Sequence, residues 1–138
     1  MRDRFGDEFG RDPARDRHQV DACADAGPAL LASNGPYAAL QQWVNLFVDF
    51  LVTKHGLAAA LHSDDTRFEA LHHYFLDRLV PVCAQLLGAA ADAGEVWGEL
   101  DALALMRGIG NLCIGGGAVP DYDARQLVGL LLGGLRLQ

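Results

Sequence analysis

The sequence predicts an all-α fold. Apolar residues recur at spacings of three and four through most of the chain, which is the stripe an amphipathic helix buries. Helix-start and helix-stop signals separate these stretches. No segment alternates apolar and polar residues with the period of two that a half-buried strand needs, and no internal repeat occurs. This pattern predicts a bundle of about six helices.

Residues 1–11 form a charged segment containing Gly6 and Gly10 and are expected to be flexible, while residues 12–138 make one domain. Asp12 reads as an N-cap, with Pro13 at the first helical position, where a missing N–H costs nothing. The helix that follows should run to about Ser33. It is expected to kink or divide at Gly27-Pro28, because Pro28 cannot donate to the preceding turn. Asn34-Gly35-Pro36 then breaks the chain and opens a second helix. Leu40, Trp43, Val44, Phe47, Val48 and Leu51 share one face of it, and Leu46 and Phe50 add a second apolar strip. Lys54 and His55 suit the last turn of this helix, and Gly56 suits its left-handed cap.

Residues 57–62 predict a short helical turn. Thr66 and Glu69 form a capping box ahead of a third long helix, which carries Phe68, Leu71, Phe75, Leu79, Val82 and Leu86 and ends near Gly94. Pro81 lies inside it and predicts a bend. Residues 95–100 read as a connector. Asp101 caps the next helix, to about Ile114, and Gly115–Gly117 turn the chain. Asp121 or Asp123 caps the last helix, to about Arg136.

Composition narrows the function. Hydrophobic residues are 51% of the chain and charged ones 21%, as in a globular domain. The formal net charge of -7, with 11 basic residues, argues against direct binding of this chain to DNA or to an anionic membrane, since phosphate contacts need clustered Lys and Arg. Cys23, Cys83 and Cys113 are odd in number, widely spaced and without a CxxC pair. They predict neither a disulfide framework nor zinc and fit a reducing cytoplasm. The N-terminus has no apolar stretch of the secretory kind, and the run Leu127–Leu135 is too short to span a bilayer.

The candidate sites divide by chemistry. Gly108, Gly110 and Gly115–Gly117 suggest a phosphate cradle, but they follow a helix rather than a strand and no Gly-Lys-Ser/Thr occurs. Close helix packing at Gly108 and Gly110, and a helix end at Gly115–Gly117, account for them better. His62 lies near Asp64 and Asp65, which a capping loop explains. The adjacent His72 and His73 point in different directions, so no metal site is expected. His72 lies one position from the Leu71, Phe75, Leu79 stripe and could serve as a polar group in a pocket. Ser33 and Ser63 are the only serines, both at helix boundaries, and no GxSxG occurs, so no enzyme and no cofactor are expected. The large side chains Trp43, Phe47, Phe50, Phe68, Tyr74, Phe75, Trp97 and Met106 read first as core. A proline-bent helix among them leaves room for an apolar ligand. The last helix is apolar on nearly all sides, with Gly129 and Gly133 making a gap, so a second copy is expected to cover part of it.

Three stretches carry a family resemblance. PYAALQQWVNLFVDFLVTKHGLAAAL (36–61) resembles the start of the regulatory domain of TetR-family transcriptional repressors. LLGAAADAGEVWGELDALALMRGIGNLC (86–113) resembles that family's connector and next-to-last helix. DARQLVGLLLGGLR (123–136) resembles its closing Leu-rich helix. The resemblance implies a helical ligand-binding and dimerisation domain whose last two long helices form a four-helix bundle with a partner copy. It also implies a small effector cavity among the middle helices. A helix-turn-helix head needs about 45 to 50 further residues upstream, so a domain without such a head, not itself binding an operator, is expected.

Together these readings predict a homodimeric regulatory domain that binds a small apolar molecule. Trp43, Phe47, Phe50, His72, Phe75, Leu79, Met106 and Cys113 are the expected ligand-site residues. Leu112, Leu127, Val128, Leu131, Leu132 and Leu135 are the expected dimer residues. The rival is an interaction module that pairs with a full-length relative and takes no ligand.

Overall fold

A computed structural model describes residues 13–53, 69–114 and 123–137, with side chains over 17–51, 73–113 and 123–137. Among these stand five helices: α1 (Pro13–Ser33), α2 (Pro36–Thr53), α3 (Glu69–Asp92), α4 (Ala102–Ile114) and α5 (Ala124–Leu135). The short turn expected at 57–62, the capping residue Thr66 and the glycines 115–117 lie outside the described residues.

Helices α1, α2 and α3 pack on one another, and α4 joins α2 and α3 to α5. The packing follows the periodicity. Leu40, Trp43, Val44, Phe47, Val48 and Leu51 are all buried on α2, as a face repeating every three or four residues must be to leave water. The second strip divides: Phe50 is buried and Leu46 stays 41% exposed.

The expected division at Gly27-Pro28 does not occur. Helix α1 runs through Pro28, as α3 runs through Pro81, and both rings lie on exposed faces. Gly27 has another task. A Cβ there would sit 2.2 Å from Val82 Cγ1, so the missing side chain is what lets α1 and α3 touch.

Local chemistry ends the helices. The Asp101 carboxylate accepts from the Ala104 N–H at 2.9 Å, and Asp123 from the Gln126 N–H at 3.0 Å, each satisfying an orphan donor of a first turn. Helix α3 closes on Gly94 at φ 75°, with Glu95 N–H donating to the Ala90 carbonyl and Gly94 N–H to the Ala91 carbonyl. That is the paired closure of a Schellman motif.

Beyond Gly94, the connector meets the end of the chain. Val96 bridges Arg136, Trp97 N–H donates to the Leu135 carbonyl, and Leu137 N–H donates to the Glu95 carbonyl. The Glu95 side chain turns the other way and accepts the Tyr37 N–H at 3.0 Å. Gly35, at the N-cap of α2, has no side chain to do this, so an acid distant in sequence caps the helix.

Candidate functional site

The aromatic residues of α2 and α3 form one row. Trp43 stacks on Phe47, with ring centroids 5.6 Å apart and planes 5° apart. Phe75 of α3 reaches both Phe47, at 5.8 Å, and Phe50, at 5.7 Å. On α2 the spacing of four and then three residues puts Trp43, Phe47 and Phe50 on one side, and Phe75 fits against the last two. The Trp43 indole N–H donates to the Cys23 carbonyl of α1 at 2.9 Å, which anchors the polar edge of an otherwise apolar ring. Leu79 and Met106 belong to the same buried core.

Six of the eight expected ligand-site residues are therefore brought into one core: Trp43, Phe47, Phe50, Phe75, Leu79 and Met106. Cys113 is half-buried on α4 and packs at the core's margin. His72 lies on α3, but its side chain is outside the described residues. Among the aromatics read as core, Trp97 is 56% exposed instead, because the connector that carries it runs along the surface beside residues 135–137. Among the described residues no group of three or more His, Cys, Asp or Glu is placed to hold a metal.

Polar chemistry flanks the row on α1. Asp21 accepts from the Tyr74 hydroxyl at 2.5 Å and from Arg78 Nε at 2.8 Å. Arg78 also reaches Asp25 at 3.6 Å, and the Arg17 guanidinium lies 5.4 Å from the Tyr74 ring centre. The Arg78 and Tyr74 hydrogen bonds hold the Asp21 carboxyl below its ordinary range, and the bond to Asp21 raises the Tyr74 hydroxyl. Burial pushes the Cys23 and Cys83 thiols up to about 12. On α1, Gln19 Oε1 is buried without a hydrogen-bond partner among the described residues. Such an orphan acceptor is costly in a core, and spacing alone gave no sign of it.

Helix α5 separates the expected dimer residues. Val128, Leu132 and Leu135 are buried against the chain's own core. Their spacing of four and three defines the inward face. Leu112, Leu127 and Leu131 are half-buried. Leu130 points away from the core and is 68% exposed, with Gly133 and Gly134 exposed beyond it. Leu130 lies outside the expected dimer residues. Helical spacing puts it opposite Val128 and Leu132, but only packing shows which of the two faces is inward. The close packing expected at Gly108 and Gly110 is not what the structure shows within the chain: a Cβ at Gly108 would meet Leu131 Cδ2 at an ordinary 4.0 Å, and one at Gly110 would meet nothing within 4 Å. No described helix is long and apolar enough to cross a membrane.

Comparisons with known proteins agree with this architecture. Residues 35–137 match the family described as transcriptional regulator SbtR-like, C-terminal domain, a TetR family. The crystal structure of a TetR transcriptional regulator from Streptomyces coelicolor superposes with a TM-score of 0.61 at 29% identity, over 87% of this chain and 69% of that one. No curated protein matches the chain. A match over 35–137 spans α2 to α5 and the connector between them, and the chain belongs to the SbtR-like family of TetR transcriptional regulators, whose C-terminal domain it carries.

Proposed function

We propose that this regulatory domain pairs with a second copy through the outer face of α5 and takes up a small apolar effector beside the aromatic row. The observation that carries the reading is the two-sidedness of α5. Its inward face is filled by Val128, Leu132 and Leu135, and its outward face presents Leu130 beside Gly133 and Gly134. A leucine knob beside glycines suits close approach of a second helix, and burying it would remove about 1.5–3 kcal/mol of exposure cost per copy. Leu127 and Leu131, half-buried on α5, border that face, and half-buried Leu112 lies on the neighbouring α4. The effector reading rests on the row Trp43, Phe47, Phe75 and Phe50, and on Leu79 and Met106 in the same core with Cys113 packed at its margin.

Two measurements test this. In sedimentation velocity the wild-type chain should run as a dimer at micromolar concentration and Leu130→Arg as a monomer with an unchanged helical spectrum. A monomeric wild type overturns the pairing. For the effector, a Trp97→Phe chain leaves Trp43 as the sole tryptophan. Small apolar molecules bound at the row should change its emission saturably, and a flat response to a broad panel overturns ligand sensing.

A further inference from the structure

Helices α2 and α5 are tied to each other at both ends. At one end, Arg125 in the first turn of α5 pairs with Asp49 late in α2. At the other, the Arg136 guanidinium lies 4.6 Å from the ring centre of Tyr37 in the first turn of α2. The two helices therefore run in opposite directions. Their spans match, since at about 1.5 Å of rise per residue Arg125 to Arg136 and Tyr37 to Asp49 each cover roughly 17–18 Å. Glu95 is the node between the matched ends. Its carboxylate caps α2 at Tyr37, and its carbonyl accepts the Leu137 N–H just beyond α5.

We propose that these contacts register α2 and α5 as one unit, with Glu95 as the positioning residue through which a displacement of the aromatic helix reaches the exposed face of α5. The physical reason is stiffness. A helix held at one end can pivot, whereas one held at both ends moves with its partner or breaks a contact. The main chain at 95–97 and 135–137 adds two hydrogen bonds to the Glu95 end, so that end is the stiffer anchor, and the half-exposed Arg125–Asp49 pair sets the register at the other. The link to regulation rests on the function proposed above, whereas the registration itself does not.

Hydrogen exchange on the full chain separates the two. Glu95→Ala should speed exchange about fivefold in the first turn of α2, and also in the last turn of α5, with which the side chain makes no hydrogen bond. Glu95→Gln should restore both segments, because its amide oxygen still accepts the Tyr37 N–H. Arg136→Gln, which leaves the main-chain contacts intact, should speed the same two segments more weakly and serves if Glu95→Ala fails to fold. Arg125→Gln combined with Glu95→Ala should exceed the sum of the single effects. Faster exchange confined to the first turn of α2, or strict additivity, overturns the registration. In sedimentation, Glu95→Ala should weaken pairing severalfold and Glu95→Gln should restore it. A wild type that never pairs overturns the function proposed above, and the exchange measurements then decide the registration alone.

Discussion

An added Cβ at Gly27 would lie 2.2 Å from Val82 Cγ1, and two effects of opposite sign follow. Ala is better than Gly in a helix by about 1 kcal/mol. Overpacking costs about 1–3 kcal/mol, and Val82 cannot yield easily, because a β-branched side chain in a helix has one strongly preferred rotamer. Gly27→Ala should therefore destabilise by up to about 2 kcal/mol in urea unfolding. In a Val82→Ala background the same substitution should become neutral or stabilising. A stabilised Gly27→Ala single variant would show that α1 and α3 have slack at this point. The cysteines give a second prediction at this scale. The Cys23 and Cys83 thiols are buried and pushed up to about 12, so at pH 8 few are thiolate. Cys113 is half-buried and raised by burial, with Arg125 acting in the opposite direction. Alkylation followed by mass spectrometry should label Cys113 first and the other two only on unfolding. Apolar neighbours flank Cys83 and Cys113 alike in the sequence, and tertiary packing is what separates them.

Caps show what a helix can and cannot reveal in sequence. Asp101 and Asp123 accept from amides three residues on, so their role is legible locally. Replacing either with Ala should cost about 1 kcal/mol, read as a lower urea midpoint at an unchanged slope. An unaltered midpoint would mean that water satisfies those amides equally well. The cap of α2 is not legible, since Glu95 is 58 positions from Tyr37. Helix α5 makes the same point with apolar residues. Its composition shows that it must be covered, and its spacing shows that Leu130 opposes Val128. Only the packing of α4 and α2 decides that Val128, Leu132 and Leu135 turn inward.

At the scale of the whole molecule, α1 is fastened to α3 by a polar cluster as well as by close packing. Asp21 receives Tyr74 and Arg78. Its carboxyl is held below its unfolded value, so this contribution is present above that value, near pH 4, and is lost as pH falls through the lower folded value. Asp21→Asn should flatten the acid limb of the stability profile below about pH 4 and lower stability at neutral pH. An acid limb unchanged by the substitution would assign acid unfolding to other carboxylates. Tyr74 shifts upward, so its share is present below about pH 10 and fades only as pH rises through its higher folded value. Neither Asp21 nor Arg78 carries a signal in the sequence, because a half-buried acid on one helix and a base on another make no periodic pattern. The sequence by itself determined the all-α class, the start of α2, the bounds of α4 and α5, the row Trp43, Phe47, Phe50 and Phe75 as core and the family resemblance, because helix periodicity and caps are properties of neighbours within a few residues. Only the tertiary structure decided that α1 passes unbroken through Pro28, that Gly27 is a contact point, that Leu130 rather than Val128 faces out, and that Glu95 joins α2 to the chain's end. Each of these depends on groups far apart in sequence meeting at distances of a few ångströms, where a single methyl group or N–H changes the balance.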